Sequence, residues 1–267
     1  MKIVWRLIDT GFSEGRENMA IDEALFRCFV PLSSDPVLRL YGWEPPALSL
    51  GRFQKAANDL DLERFVTDNL TVVRRITGGG AIYHADELTY SLVCSPKHIQ
   101  PVSSVKDSFR VLTSFLLGFY RELGLSANYA VDLNPDDVRL GGRTPLCFAG
   151  RESYDILIDG RKIGGNAQRR SRQVIFQHGS IPLKDRLVDS LDYLRDKPEE
   201  LTATSLESEG IKSGRDFLKK RLQEQFKRQL GVVLRLDALS AEEERLSQEL
   251  LHGKYSSEKW NLEGDEA

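Results

Sequence analysis

The sequence predicts an α/β domain in which amphipathic helices lie against strands, on three observations. The run Arg74-Arg-Ile-Thr-Gly-Gly-Gly-Ala-Ile-Tyr-His84 sets a glycine turn between the apolar pair Val72-Val73 and an alternating segment, Thr89 to Cys94. Tyr154 to Ile158 and Arg161 to Ala167 flank Asp159-Gly160, a dipeptide that supplies the positive φ angles of a type I′ hairpin turn. Val105, Phe109, Leu112, Leu116, Phe119 and Leu123 recur at three- and four-residue steps, an apolar stripe suited to covering one face of a sheet.

Residues 15 to 30 form the first helix, with Ala20, Ala24 and Cys28 on a small-residue face, so Cys28 reads as a core thiol. Pro31 to Pro36 ends it. Val37 to Tyr41 and Ala47 to Leu50 read as a hairpin joined by Gly42 to Pro46, running into Gly51-Arg-Phe-Gln54. Asp61 to Asp68 fits a short helix before the glycine turn. Beyond the turn, Tyr90, Leu92 and Cys94 share one strand face and Thr89, Ser91 and Val93 the other, which makes Cys94 buried and inert. Ser103 or Ser104 can cap the long helix, and Gly124 can end it. Asp132 to Gly150 lacks periodicity and reads as a long ordered loop, a kind that tends to carry function.

Val174 to Leu183 is a further strand, Asp185 to Leu194 a short helix and Thr202 to Lys212 a polar connection. Ser213-Gly-Arg-Asp216 resembles a capping box for a helix from Phe217 to Leu230, lined by Phe217, Leu222, Phe226 and Leu230. Ser240 with Glu243 makes a second such signal ahead of Glu244 to Leu251. No repeat or linker interrupts the chain, so residues 1–267 read as a single domain with C-terminal helices from about 213.

With 40% hydrophobic and 29% charged side chains, the chain can bury a substantial core. Its apolar stretches fall far short of the roughly 18 residues of a membrane span. The N-terminal Met1 to Asp9 carries charges where a signal peptide stays apolar, so a cytoplasmic protein without a membrane partner is predicted. Cys28, Cys94 and Cys147 lack zinc or disulfide spacing and predict reduced thiols and no metal site. A net charge of -3 argues against nonspecific nucleic-acid binding. The cluster Arg169-Arg170-Ser171-Arg172 departs from that average, as a solvated hairpin edge or as a patch for an acidic or phosphate-bearing partner.

Candidate chemistry concentrates on a few residues. The glycines Gly78, Gly79 and Gly80 let a ligand lie against backbone, and Arg74 and Arg75 beside them suit an anionic group. Neither a dinucleotide fingerprint nor a P-loop is present. Cys147, with Arg143 and Arg151 near in sequence, fits either a bystander or a nucleophile held as thiolate. Lys162 is followed by Gly164, Gly165 and Asn166, and fits either a solvated hairpin lysine or one that holds a carboxylate or polarises a thioester carbonyl. His84 and His178 near strand ends fit packed hydrogen-bonding roles as well as base roles.

Five motifs in order now resemble one family. They are Asn18-Met-Ala-x-Asp22-Glu, the Arg74 to His84 run with Glu87-Leu-Thr-Tyr-Ser91, Gly160-Arg-Lys-Ile-Gly-Gly-Asn-Ala-Gln168, Gln177-His-Gly-Ser180, and Lys254-Tyr-x-Ser-x-x-Trp-Asn261. Together they are similar to the biotin/lipoate A/B protein ligase family. The resemblance implies a mixed, largely antiparallel sheet flanked by helices, with an acyl chain beside the glycine turn. It implies a lysine acceptor on a lipoyl domain or on the glycine-cleavage H protein.

Pro145-Leu-Cys147-Phe148 before Ser153-Tyr154-Asp155 is similar to the family's cysteine-dependent octanoyltransferases, which load octanoate from acyl carrier protein. On that resemblance Cys147 is the nucleophile, and Lys162 orients and polarises the acyl carbonyl. Arg74, Arg75 and the glycine turn form the pocket wall, with Gly164, Asn166, His84 and His178 in the pocket. No cofactor is implied for the transferase. The alternatives are an ATP- and Mg²⁺-using lipoate-protein ligase, an octanoyl amidotransferase between lipoyl carrier proteins, and a noncatalytic binding module.

Overall fold

The computed structural model describes residues 2–99, 102, 104–133, 152–195, 197 and 202–265. The N-terminal half runs β1 (Val4–Ser13), α1 (Gly15–Cys28), β2 (Val37–Trp43), β3 (Ala47–Leu50), α2 (Ala56–Asp59), α3 (Leu62–Thr67), β4 (Thr71–Arg74), β5 (Ile82–His84) and β6 (Glu87–Cys94). Next come α4 (Val105–Glu122), β7 (Ala127–Tyr129), α5 (Ala130–Leu133), β8 (Ile156–Ile158), β9 (Arg161–Ile163), β10 (Gly165–Arg170) and β11 (Ile175–Pro182). The chain closes with α6 (Leu187–Leu191), β12 (Ala203–Thr204), α7 (Arg215–Leu230), β13 (Val233–Asp237), α8 (Ala241–Leu250) and two wide turns, Leu251–Tyr255 and Lys259–Glu263.

Three sheets result, where the sequence suggested one. The largest has the order β10-β11-β6-β2-β1-β13, with β12-β9-β8-β7 and β4-β3-β5 beside it. Antiparallel pairs predominate, while β1 pairs parallel with both β2 and β13. The mixed, largely antiparallel character is therefore as expected. The hairpin expected from Val37 to Leu50 is absent: β2 pairs with β1 and β6, whereas β3 pairs with β4 and β5. Pro45 and Pro46 lack the N–H groups that would continue a ladder, and the chain crosses there into the smaller sheet. The Asp159-Gly160 hairpin is present, with positive φ at both residues and Leu157 opposite Lys162. Its second strand breaks at Gly164, whose φ of 75° turns the chain from β9 into β10 of the large sheet.

Helices cover both faces of the large sheet. On one, Leu112, Phe115, Leu116 and Phe119 of α4 and Leu218, Leu222 and Phe226 of α7 pack on Leu38, Leu40, Tyr90, Leu92 and Cys94. On the other, Met19, Ala20, Ala24 and Leu25 of α1 pack with Val37, Tyr41, Val93 and Phe176, joined by Leu250, Tyr255 and Trp260. The alternation read along β6 thus holds, and burial pushes the Cys94 thiol up to about 12.

Ser104 caps α4 by accepting from Asp107 N, and Gly124 closes it at φ 86°. The Ser240–Glu243 capping box is formed. The box expected at Ser213 is not: Gly214 is the N-cap, so Asp216 sits at the second helical position, where its charge favours the helix dipole without a reciprocal bond. Phe217 is exposed, and the buried stripe begins one residue later at Leu218. Cys28 is only half-buried, in the last turn of α1; burial and then Glu242 and Glu243 raise its pKa. Among the described residues no helix is long and apolar enough to cross a membrane.

Candidate active site

The glycine turn is built from behind. Gly51, at the end of β3, packs so closely that a Cβ there would lie 1.9 Å from the Gly79 carbonyl oxygen. Arg75 curls beneath the turn: Nη2 donates to the carbonyls of Gly78 (2.9 Å) and Gly80 (2.7 Å), and Nη1 to the Ser49 carbonyl (3.0 Å) and Oγ (3.1 Å). The turn therefore has a fixed shape before any ligand arrives.

Arg74, one residue earlier on the strand, points the other way. Its guanidinium donates to the carbonyls of Gly51 (2.9 Å), Gln54 (2.7 Å), Trp260 (2.9 Å) and Leu262 (2.7 Å). Asn261 Oδ1 accepts from Arg74 N, and Trp260 Nε1 donates to Arg74 O. Burial, then the Arg52 charge, lowers its pKa to about 10. Arg74 thus ties the C-terminal turns to the 51–54 loop and does not line the cleft, which corrects its placement in the pocket wall. The Lys254 to Asn261 motif is explained by the same contact.

Above the turn lies a cleft of about 910 Å³, lined by Arg75, Gly78, Gly79, Gly80, His84, Lys162, Asn166 and His178 among others. That is the size of a small-molecule site. Trp43, Phe53, Phe109 and Tyr154 give it apolar wall. Gly164 is not in the lining. It makes the sheet switch, and a Cβ there would lie 2.2 Å from the Ser180 carbonyl oxygen. Asn166 Oδ1 accepts from Tyr90 OH at 2.7 Å, opposite Gly179 in the ladder, where any side chain would collide with it.

Both histidines are backed by carboxylates. His84 meets Glu87 Oε1 at 2.8 Å through Nδ1 and Ser49 Oγ at 2.8 Å through Nε2. Ser49 Oγ also accepts from Arg75, so both imidazole nitrogens of His84 are engaged, Nε2 by the hydroxyl and Nδ1 by the carboxylate. Trp43 stacks on the imidazole, with centroids 3.7 Å apart. Burial opposes the Glu87 charge, but His84, Ser180 and Thr89 together hold its pKa below the usual range. His178 contacts Thr77 Oγ1 at 2.7 Å and Asp22 Oδ2 at 3.5 Å, and burial pushes its pKa down, leaving it neutral.

Asp22 shows why the first motif has its spacing. Asn18 and Asp22, four apart, stand on one face of α1 and together grip buried Arg39: Nη1 donates to Asp22 Oδ1 (2.8 Å) and Nη2 to Asn18 Oδ1 (2.7 Å). Tyr41 and Ser91 also donate to Asp22. Burial opposes its charge; Arg39, His178 and Ser91 outweigh that and hold the pKa low.

Lys162 is buried, not a solvated hairpin lysine. Its Nζ lies 2.7 Å from Asp155 Oδ2, which also accepts from Glu152 N at 2.8 Å. Asp155 and Glu87 are site residues that motif reading alone misses, although each leaves a signal. Asp155 precedes Leu157, the cross-strand partner of Lys162, by two residues, and so shares its face across the hairpin. Glu87 follows His84 by three. Cys147, Arg143 and Arg151 lie outside the described residues.

The cleft is of small-molecule size and sets a preformed glycine turn near a buried lysine, at the edge of mixed sheets packed with helices. The chain belongs to the lipoyl protein ligase A/B catalytic domain family, whose sequence model matches residues 14–231. The resemblance carried by the motifs is thereby borne out.

Over 275 residues it is 36% identical to the octanoyltransferase LipM of Geobacillus kaustophilus, covering 98% of this chain and 99% of that protein. With the octanoyltransferase LipM of Bacillus subtilis it shares 34% over 273 residues, covering 97% and 98%. Among solved structures, lipoate-protein ligase A bound with ATP matches at a TM-score of 0.81 and 26% identity, over 98% of this chain and 99% of that one. A putative lipoate protein ligase from T. acidophilum with bound lipoic acid matches at 0.80 and 27%, over 98% and 100%.

Proposed function

We propose that this chain is an octanoyltransferase of protein lipoylation, moving octanoate from octanoyl-acyl carrier protein to a lysine of a lipoyl domain or glycine-cleavage H protein. The observation that carries the reading is full-length similarity to octanoyltransferases LipM, together with a cysteine at sequence position 147, ahead of the hairpin that carries Lys162. The Cys147 thiolate attacks the octanoyl thioester carbonyl, the carrier's thiol leaves, and a Cys147 thioester forms. The neutral amine of the acceptor lysine then attacks that carbonyl, losing a proton as the amide forms and the Cys147 thiol is released. Donor and intermediate are both thioesters, so no ATP is consumed.

Buried Lys162 in the cleft suits a cation set toward the acyl oxygen, where negative charge develops in both steps. The glycine turn with Arg75 supplies a wall against which the acyl end lies. Arg74 supports that wall from outside.

The test is transfer from octanoyl-acyl carrier protein to a purified lipoyl domain without ATP, followed by the mobility shift of the acceptor. Transfer at full rate without ATP, and a fall of several orders of magnitude in Lys162→Ala with the fold intact, is expected. Transfer only from free acid with ATP and Mg²⁺ would assign the chain to the ligases, with whose ATP-bound member it shares its fold.

A further inference from the structure

We propose that Asp155 is a positioning residue for acyl transfer: its carboxylate fixes the ammonium of Lys162 in the cleft and joins it to the turn that begins at Glu152. The inference rests on the function proposed above and deepens it. Lys162 Nζ and Asp155 Oδ2 are 2.7 Å apart, and both side chains are buried in the cleft wall.

A lysine has four rotatable carbons and a point charge, so it aims a cation only when a partner fixes it. The main chain of Lys162 is held, since its N–H donates to the Thr202 carbonyl at 2.8 Å and β9 pairs with β8 and β12. The contact with Asp155 extends that order to the ammonium. Asp155 is itself anchored twice within its turn: Oδ2 accepts from Glu152 N, and its own N–H donates to the Glu152 carbonyl. Its carbonyl also accepts from Ala130 N. The carboxylate therefore has little freedom to follow a displaced lysine.

Two neighbouring charges are engaged elsewhere. Arg161, the neighbouring cation on β9, points to the other face and pairs with Glu209 at 2.8 Å. Glu87 on β6 is engaged by His84, Thr89 and Ser180. Asp155 thus aims the Lys162 side chain.

The test is a double-mutant cycle on Asp155→Asn and Lys162→Met, with Asp155→Glu as the conservative variant, reading kcat, KM and thermal stability with octanoyl-acyl carrier protein. Asp155→Asn is expected to lower kcat on the order of 10- to 100-fold, the effect typical of outer partners that orient a site group. KM should stay within about twofold, because no group that holds the carrier has been removed. In the Lys162→Met background Asp155→Asn should cost nothing further, and Asp155→Glu should recover most of the loss.

Wild-type kcat in Asp155→Asn, or an equal further loss in the Lys162→Met background, would overturn the inference and leave the octanoyltransferase reading intact. If Asp155→Asn fails to fold, Asp155→Glu decides: a folded variant as inactive as Lys162→Met assigns Asp155 to shape alone and overturns the proposal. Absence of transfer by the wild-type enzyme would overturn the reading beneath it as well.

Discussion

Gly51→Ala probes whether the glycine turn is held from behind as the structure requires. A methyl at Gly51 would lie 1.9 Å from Gly79 O and 3.2 Å from Gly78 C. Those atoms are backbone, and Arg75 holds the adjacent carbonyls of Gly78 and Gly80, so no rotamer change relieves the contact. The turn or the end of β3 must move. Overpacking of this kind costs about 1–3 kcal/mol, a Tm loss of roughly 2–10 °C for a chain of this length.

Gly78→Ala is the control, because a Cβ there meets nothing within 4 Å and Gly78 lines the cleft. That variant should stay within about 0.5 kcal/mol of wild type, while its methyl occupies ligand space. Thermal melts beside the transfer assay should find both variants impaired in transfer and only Gly51→Ala impaired in stability. A Gly51→Ala protein with wild-type Tm and wild-type transfer would refute the argument that the turn is a preformed element.

Three further outcomes follow from the buried network. Asp22→Ala strands the buried Arg39 guanidinium and should cost about 3–5 kcal/mol in denaturant melts; a loss under about 1 kcal/mol would show that the pair contributes little. Trp260→Ala should cost a similar 3–5 kcal/mol, because the ring is fully buried, donates to Arg74 O at 3.0 Å and lies 3.6 Å from Lys254 Nζ. Acid should destabilise the fold in two stages. Asp22, Glu23 and Glu87 all have lowered folded pKa values, so their stabilisation is present above the unfolded values near about 4 and lost as pH falls through the folded ones. His178 and His98, the latter pushed down to about 4 chiefly by burial, are neutral when folded, so the unfolded chain gains protons first below about 6.5. Urea midpoints at pH 7, 5 and 3 check both stages, and a flat profile across them would contradict the burial of these groups.

Much of this arrangement was legible in the chain because it is local. The α4 stripe, the Asp159-Gly160 turn, the faces of β6 and the capping box at Ser240 each depend on residues within a few positions of one another. What was not legible depends on distant pairing. β13 joins β1 across some 230 residues, and nothing within Val233–Asp237 announces that partner. The apparent hairpin from Val37 to Leu50 has hairpin-like strands, yet each finds a better partner elsewhere.

The site divides in the same way. The glycine turn and Lys162 stand out as motifs, and both line the cleft. Arg74 and Arg75 look in sequence like one anion-binding pair, yet successive strand residues point to opposite sides and, of the two, Arg75 reaches the cleft. The carboxylates Asp155 and Glu87 acquire meaning only once the lysine and histidine they contact are placed.

The proposed transfer requires a covalent octanoyl enzyme at Cys147. Its most direct test is the intact mass of the wild-type protein and of Cys147→Ser after incubation with octanoyl-acyl carrier protein in the absence of ATP. A hydroxylamine-sensitive octanoyl adduct on the wild type alone is the predicted result. No adduct on the wild type, with acylation of a lipoyl domain appearing only when ATP and free acid are supplied, would contradict it.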